Sequence, residues 1–418
     1  MKTLFSQIFN EWRANLWLAL ELLVVSVVMW YIADYFYTTI SVLNEPKGFA
    51  TEHCYRINFS WLNEKSPEYK ADKDSVLARA ASMAEMVERL KRRPEIEAVG
   101  IGMNAHPYNM SNSTTTLNYD SLQSQGYVIR YIVSPDFIRV FRYEGMNGET
   151  PDDLARILSS GQTNLLLSNN VFLSSQQHVP VTSIVNQDVV MNGDSSSTYT
   201  VAAALKPIKA SDYSYADYCK TVIIPCPYEH GAYVNELCVR VRDNMDSDFI
   251  ERLRADSEAQ LRVDNLYIAD IKSFDDIRAS FQRESDRTVR NYVIGMLFLL
   301  LNIFLGLLGT FWFRTQQRVG EIAIRKVSGA TRMSIFGRLM GEGILLLTVV
   351  TILAVIVDIN MAYMEFNTNY GGGFLYWPRV LTSAAGVYVL MALMVVAGIY
   401  FPARKAMSVE PVDVLRDE

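Results

Sequence analysis

The sequence predicts a membrane protein with four transmembrane α-helices and a large α+β extracytoplasmic domain between the first and second, in which two βαβ units flank a β-rich insert. Three observations carry this: four apolar runs of spanning length, one long stretch of ordinary water-soluble composition, and a short loop dense in cations. Half of the 418 residues are hydrophobic and a fifth are charged, an average over two very different kinds of segment.

Asn291–Phe313 and Val380–Phe401 contain no ionisable group except tyrosine, and as helices each is long enough to cross about 30 Å of hydrocarbon. Gly343–Phe366 carries Asp358 in its interior, and Ala14–Tyr37 carries Glu21 and, near its far end, Asp34; both remain long enough to span. The first run follows Lys2 and Arg13 as a secretory signal would, but its apolar core is too long and no small-x-small cleavage site follows, so it reads as a retained anchor.

Orientation follows from the short loops, because lysine and arginine are held on the cytoplasmic side during insertion. Residues 314–338 carry Arg314, Arg318, Arg325, Lys326, Arg332 and Arg338 against Glu321 alone, while the whole chain has a net charge of −6. That loop is therefore expected inside. The segments that follow are a cytoplasmic N-terminus (1–13), a span (14–37), the external domain (38–288), a span (291–313), a cytoplasmic loop and helix (314–342), a span (343–366), a short external loop (367–379), a span (380–401) and a cytoplasmic tail (402–418). Both termini are expected in the cytoplasm.

In the external domain two stretches repeat an order of elements. "CYRINFSW" alternates Tyr55, Ile57, Phe59 and Trp61 on one face, a half-buried strand. Val76, Ala80, Met83, Val87 and Leu90 then recur at helical spacing until Arg93-Pro94, and "EIEAVGIG" reads as a strand. The second stretch runs from "ELCVRVRD", with Leu237, Val239 and Val241 on one face, through a helix with Phe249, Ile250, Leu253 and Leu261 behind a capping-box-like Asp248 and Glu251, to the strand "RVDNLYIADI". Between them, from about 127 to 227, "YVIRYIV", "TNLLLS", "YTVAAAL" and "KTVIIPC" are short strands separated by Asn, Ser, Gly and Pro. The polar helical segment "SFDDIRASFQRESDRTVR" then runs directly into the second span.

Cys54, Cys219, Cys226 and Cys238 all fall in this domain, where an oxidising compartment permits one or two disulfides without the sequence assigning pairs. Cys219, Cys226, His230 and Cys238 lack the close ligand pairs of structural zinc motifs, so no metal site is assigned.

Several chemistries have no motif to carry them. There is no G-x-x-x-x-G-K-[ST] to cradle nucleotide phosphates, no H-E-x-x-H and no G-x-S-x-G. Gly100, Gly102 and Ala105 fit G-x-G-x-x-A, but a dinucleotide fingerprint must open a helix, and His106-Pro107 follows instead; a strand end and turn is the reading. No catalytic or cofactor-binding residue is assigned. Glu21 and Asp358 stand out because an ionisable group in hydrocarbon is expensive. At 1.5 Å per residue they lie on the order of 10 and 20 Å from the inner ends of their helices, so snorkelling or an interhelical hydrogen bond is expected ahead of a direct pair or a proton relay. Gly371–Gly373 reads as a flexible turn.

The basic loop predicts a short amphipathic helix, with Ile322, Ile324 and Val327 on the membrane side and Glu321, Arg325 and Lys326 facing the cytoplasm, and Gly329 turning the chain into a second helix. Composition alone leaves open that these cations only fix topology and touch lipid phosphates.

The order of residues goes further. Arg318, Glu321, Ile322, Ile324, Arg325, Lys326, Gly329 and Ala330 after the second span, Glu342 at the start of the third, and Pro402, Ala403, Arg404, Ala406, Pro411, Val412 and Leu415 near the C-terminus together resemble the MacB/FtsX family of ABC-transporter permeases. "YIVSPDFIRVFRYEGMNGE" and the two βαβ units are similar to the periplasmic core domain of the MacB branch. The resemblance implies a permease of the cytoplasmic (inner) membrane that dimerises with itself or a sister permease. It implies a separate cytoplasmic ABC ATPase, which brings ATP and Mg, docked through Arg318, Glu321, Ile322, Arg325, Lys326, Ser328, Gly329 and Ala330. It further implies mechanotransmission to the external domain, contact with membrane lipid and a periplasmic adaptor or outer-membrane component, and no nucleic acid. The expected function is export or extraction of a peptide, lipoprotein, lipid or hydrophobic toxin. The alternatives are a regulator of cell-wall hydrolases within the same architecture, and a membrane sensor or scaffold with no ATPase.

Overall fold

The computed structural model describes residues 12–408 apart from 104, 110–113, 126–127, 174–177, 228, 230–235 and 372. The chain forms two compact units, one of Val42–Ser285 and one of Met1–Ser41 with Asp286–Glu418. The first is sheet-rich and lies in sequence between the first and second of four helices long and apolar enough to cross a membrane.

The sheet-rich unit opens with β1 (Cys54–Trp61), α2 (Val76–Lys91) and β2 (Ile96–Met103), numbered after a first long helix α1 (Trp12–Asn44), and closes with β10 (Leu237–Val241), α5 (Phe249–Gln260) and β11 (Leu266–Ser273). The two βαβ units interleave. Their strands stand in the order β11-β1-β10-β2 with antiparallel neighbours, so β1 and β2 run parallel but are separated by β10, a split βαβ arrangement. Tyr55, Ile57, Phe59, Val239 and Val241 line one buried face, against Met83, Val87 and Leu90 of α2 and Phe249 and Leu253 of α5. Each such side chain contributes roughly 1.5–3 kcal/mol by leaving water. Two helical details differ from expectation. Val76 opens α2 but is 40% exposed, because the apolar face turns inward only from Ala80. Asp248 makes no capping bond: it sits at φ 57°, in the left-handed region, which points its carboxyl away from the free N–H groups of α5.

Between β2 and β10 the sheet continues through β3 (Thr116–Tyr119), β4 (Leu122–Gln125), β5 (Val128–Ile132), β6 (Asn164–Ser168), β7 (Asp188–Met191), β8 (Thr198–Leu205) and β9 (Thr221–Pro225), in the order β2-β5-β9-β6-β8-β7-β3-β4. The strands of this insert begin at Thr116, ahead of Tyr127, and its described residues also include the helices α3 (Phe137–Phe141) and α4 (Pro151–Ser159). Gly100 is where α3 crosses β2: a Cβ there would strike the Phe137 backbone. The glycine pattern at 100–102 is therefore a packing device. All four cysteines carry free thiols, so no disulfide staples the unit, which is held instead by three clusters of buried apolar side chains. His230 of the discarded zinc set lies outside the described residues.

The second unit packs α1 with α6 (Phe274–Gln317), α8 (Arg332–Tyr363) and α9 (Trp377–Ser408), and a short α7 (Val319–Val327) precedes α8. Leu22, Trp30, Ile303, Leu307, Leu347, Met391 and Val395 form its core. Small residues let the helices close: a Cβ on Gly398 would come within 2.8 Å of the Leu307 Cβ. α6 is a single 44-residue helix, about 66 Å long at 1.5 Å per residue. Its N-terminus is fixed by Ser273, whose hydroxyl accepts the Asp276 N–H at 3.1 Å and donates to the Asp276 carboxylate at 2.7 Å.

Candidate functional site

The basic segment folds as α7, a turn, and the first turns of α8. α7 ends in a Schellman motif: the Gly329 N–H donates to Lys326 O at 3.1 Å and the Ala330 N–H to Arg325 O at 3.0 Å. Gly329 takes φ +91°, which a side chain opposes, and nothing lies within 4 Å of where its Cβ would be. Thr331 then caps α8 by accepting the Ser334 N–H at 3.2 Å. The sequence Ser-Gly-Ala-Thr is thus a stop signal followed at once by a start signal, and the turn between them is open to solvent.

The faces of α7 differ from the sequence expectation. Ile322 and Ala323 are buried against the helical core, whereas Ile324 and Val327 are 61% and 65% exposed. The three apolar side chains cannot share one side because 100° per residue separates Ile322 from Ile324 by most of a half-turn; the unnoticed Ala323 completes the inward face. Ile324, Val327 and, across the turn, Met333 form an exposed apolar patch, with Glu321, Ser328 and Arg332 beside it. Glu321 and Arg325 pair one turn apart on this helix.

Of the remaining cations, Arg314, Arg318 and Lys326 are held. Arg314 and Arg318 reach the buried Glu342 carboxylate at 3.5 and 3.2 Å. Lys326 donates to Met407 O at 2.7 Å, one of the last carbonyls of α9, where a cation also complements the helix dipole. A cavity of about 30 Å³, enough for a water, lies among Arg318, Glu321, Ile322, Arg325, Arg338 and Glu342. Of the docking set, Glu321, Ser328 and Gly329 are exposed, Arg325, Lys326, Arg318 and Ala330 are half-buried, and Ile322 faces inward. Pro402, Ala403 and Ala406 of the C-terminal pattern are buried in α9 and Arg404 is exposed, while Pro411, Val412 and Leu415 lie outside the described residues.

The two intramembrane acids do not meet. Glu21 is half-buried beside Gly306, whose absent side chain makes room for its carboxyl. Asp358 is buried on α8, and its Oδ1 has no hydrogen-bond partner among the described residues. The buried pair at that end of the bundle is one that periodicity gave no reason to expect: Arg379 Nε lies 2.9 Å from Asp34 Oδ1, both side chains almost wholly enclosed, with Asn367 donating to Asp34 and Arg379 donating to Thr368 O and Phe374 O. Arg379 sits at the edge of an apolar run, where the only visible signal was an isolated cation before the fourth span. At the turn Gly371 takes φ +67° and the Tyr370 N–H donates to Gly373 O, with residue 372 outside the described set.

A second tie lies in the sheet-rich unit, on the loop after β8. Asp212 is buried; its Oδ1 accepts from Tyr108 at 2.7 Å and faces Lys47 at 3.1 Å, and its Oδ2 is held by both Nε and Nη2 of Arg278, in the second turn of α6. Burial would raise this carboxyl, but hydrogen bonds from Gln282, Tyr108, Arg278 and Lys47 outweigh it and hold the group at about 2. Three residues earlier, buried Lys209 donates to Val42 O, near the C-terminus of α1, at 2.6 Å and to Asp212 O at 2.9 Å. One loop therefore holds the end of α1 and the start of α6 within the same unit. Nothing in the local sequence "PIKASDYSY" marks it, because the side-chain partners of Asp212 are all more than sixty residues away.

Residues 293–411 match the family model of the FtsX-like permease C-terminal domain. The last three membrane-spanning helices, with α7 between them, carry an FtsX-like permease domain. The match spans α7 and its turn, most of α6 and all of α8 and α9, so the exposed turn at Gly329 belongs to that domain. Among solved structures, the chain matches the periplasmic region of MacB from Actinobacillus actinomycetemcomitans at 12% identity and a TM-score of 0.29, covering 58% of this chain and 98% of that one. A comparison with curated protein sequences gives no match. With four apolar helices and this permease domain, the chain is a multi-pass membrane protein.

Proposed function

We propose that the chain is the permease subunit of an ABC transporter complex. A separate cytoplasmic ATPase docks at α7, and its ATP-driven movement passes through the membrane helices to the sheet-rich unit outside, which exports or extracts a peptide, lipoprotein, lipid or hydrophobic toxin. The observation that carries this reading is the permease domain at 293–411 with its exposed apolar turn. Ile324, Val327 and Met333 stand out from a segment in which Arg318 and Lys326 are engaged by Glu342 and Met407 O, which is the composition of a partner's seat more than of a lipid-binding basic patch. In this reading the chain is not an enzyme, the loop is cytoplasmic and both termini lie with it. A second permease, identical or related, completes the dimer.

The test is mild-detergent purification from native membranes with mass spectrometry of the captured proteins, for wild type, Gly329→Arg and the Ile324→Glu/Val327→Glu double variant. An ATPase captured by wild type and lost from both variants, with the permease still folded, is the expected result. No ATPase after cross-linking would replace this reading with a sensor or scaffold, and a co-purifying cell-wall hydrolase would move it to the regulator of such enzymes.

A further inference from the structure

The segment that follows α1, Glu45–Ala50, packs along the loop 206–216, and the two approach so closely at Gly48, φ +75°, that a Cβ there would overlap Pro207 O. The Lys209 N–H donates to Lys47 O at 2.9 Å and the Ala216 N–H to the Glu45 carboxylate at 3.3 Å, which fixes the two walls. They enclose one side of a cavity of about 470 Å³ lined by Pro46, Phe49, Ala50, Pro207 and Ala216, within the range of small-molecule sites. Four charged side chains stand around it. Lys206 is paired with Glu144 at 2.5 Å and Glu45 accepts from the wall, but Arg142 meets Glu97 only at 3.4 Å through one nitrogen and is half exposed. Arg142 is therefore a cation at this cavity with donors to spare, and its planar guanidinium, unlike the Lys206 ammonium, suits a carboxylate or phosphate. The wall begins one residue past the end of a helix long and apolar enough to cross a membrane.

We propose that this cavity binds a single-chain anionic amphiphile, with the acyl chain against Phe49 and the two prolines and the anionic head on Arg142. Its position at the start of the sheet-rich unit makes the membrane the source of the ligand. The same wall carries Lys209 and Asp212, which hold the end of α1 and the start of α6, so an occupant presses on the loop that holds both helices. The site uses only residues of the sheet-rich unit and does not depend on an ATPase docking at α7.

The full chain in lipid nanodiscs is photolabelled with a diazirine-bearing dodecanoate, and the adducts are located by peptide mass spectrometry. Label in the peptides carrying residues 45–50 or 206–216, competed at least tenfold better by dodecanoate than by its methyl ester, is the expected result. Ala50→Trp, which fills the cavity, is expected to abolish that label. Arg142→Asn, which keeps a residue tolerant of φ +50°, is expected to remove the preference for the acid while the chain stays folded. Label confined to the membrane helices, label unchanged by Ala50→Trp, or equal competition by acid and ester would each overturn the proposal.

Discussion

Two buried carboxylates, Asp212 and Glu342, neutralise arginines at the two ends of α6, Arg278 at one and Arg314 with Arg318, just past the helix, at the other, and they do so in different ways. Asp212 takes a short two-nitrogen contact from Arg278 and further bonds from Tyr108, Lys47 and Gln282, donors drawn from separate parts of the sheet-rich unit. Glu342 holds Arg314 and Arg318 at the longer distances of 3.5 and 3.2 Å, beside a small cavity and an exposed turn. A fully satisfied carboxylate fixes a junction, because moving any partner exposes several buried charges at once. Glu342 balances its two arginines beside the exposed turn after α7. The two ends of one helix thus carry different kinds of tie, one with donors from several segments and one beside an exposed turn.

The sharpest way to calibrate that contrast is the most enclosed pair, Asp34 and Arg379, whose side chains are 2% and 0% exposed. Arg379→Ala leaves an uncompensated acid there and is expected to cost about 3–5 kcal/mol in thermal unfolding of the full chain. The Asp34→Leu/Arg379→Met double variant should recover most of the loss, since two apolar groups leave no orphan charge. A double variant as unstable as the single would mean that the pair's hydrogen bonds to Phe374 O and Thr368 O, and not its charge balance, hold the site.

The Asp212 tie comes next. Lys47 and Arg278 are partly exposed and can be rehydrated, so Asp212→Ala should cost less, about 2–3 kcal/mol. The pH dependence has a defined sign. The folded carboxyl is held at about 2, below the unfolded value of about 3.9, so its stabilisation is fully present above pH ~4 and is lost as pH falls through about 2. Asp212→Asn should flatten that part of the acid unfolding curve by about 2 kcal/mol. Glu342→Gln should destabilise by no more than Asp212→Asn at neutral pH; a larger loss would reverse the ranking of the two ties.

How much of this was legible in the sequence follows from where the signals live. The strand β1 and the inward face of α2 could be read because alternation and helical spacing are local, and their contacts need no knowledge of the partner. The spans could be read because length and apolarity are one-dimensional. The order β11-β1-β10-β2 could not, since it depends on which distant strand inserts between β1 and β2. At the candidate site, Gly329 was visible as a turn, but the inward role of Ala323 was masked by its more conspicuous neighbours Ile322 and Ile324. Lys326 read as facing the cytoplasm because its acceptor, Met407 O, is 81 residues on. Asp212 and Arg379 gave no pattern at all: a single charge in sequence says nothing of its counter-charge.

The smallest effect concerns the turn itself. Gly329→Ala meets no steric obstacle beyond its own backbone, so its cost is that of a left-handed residue, about 1 kcal/mol, and Gly329→Asn should restore roughly half of it. Both variants keep the exposed apolar patch of Ile324, Val327 and Met333, so capture of a cytoplasmic ATPase should survive them while Ile324→Glu/Val327→Glu removes it without loss of stability. If Gly329→Ala abolishes capture with the patch intact, the partner must come close enough to the bare backbone that even one methyl group intrudes, and the glycine rather than the apolar side chains becomes the centre of the seat.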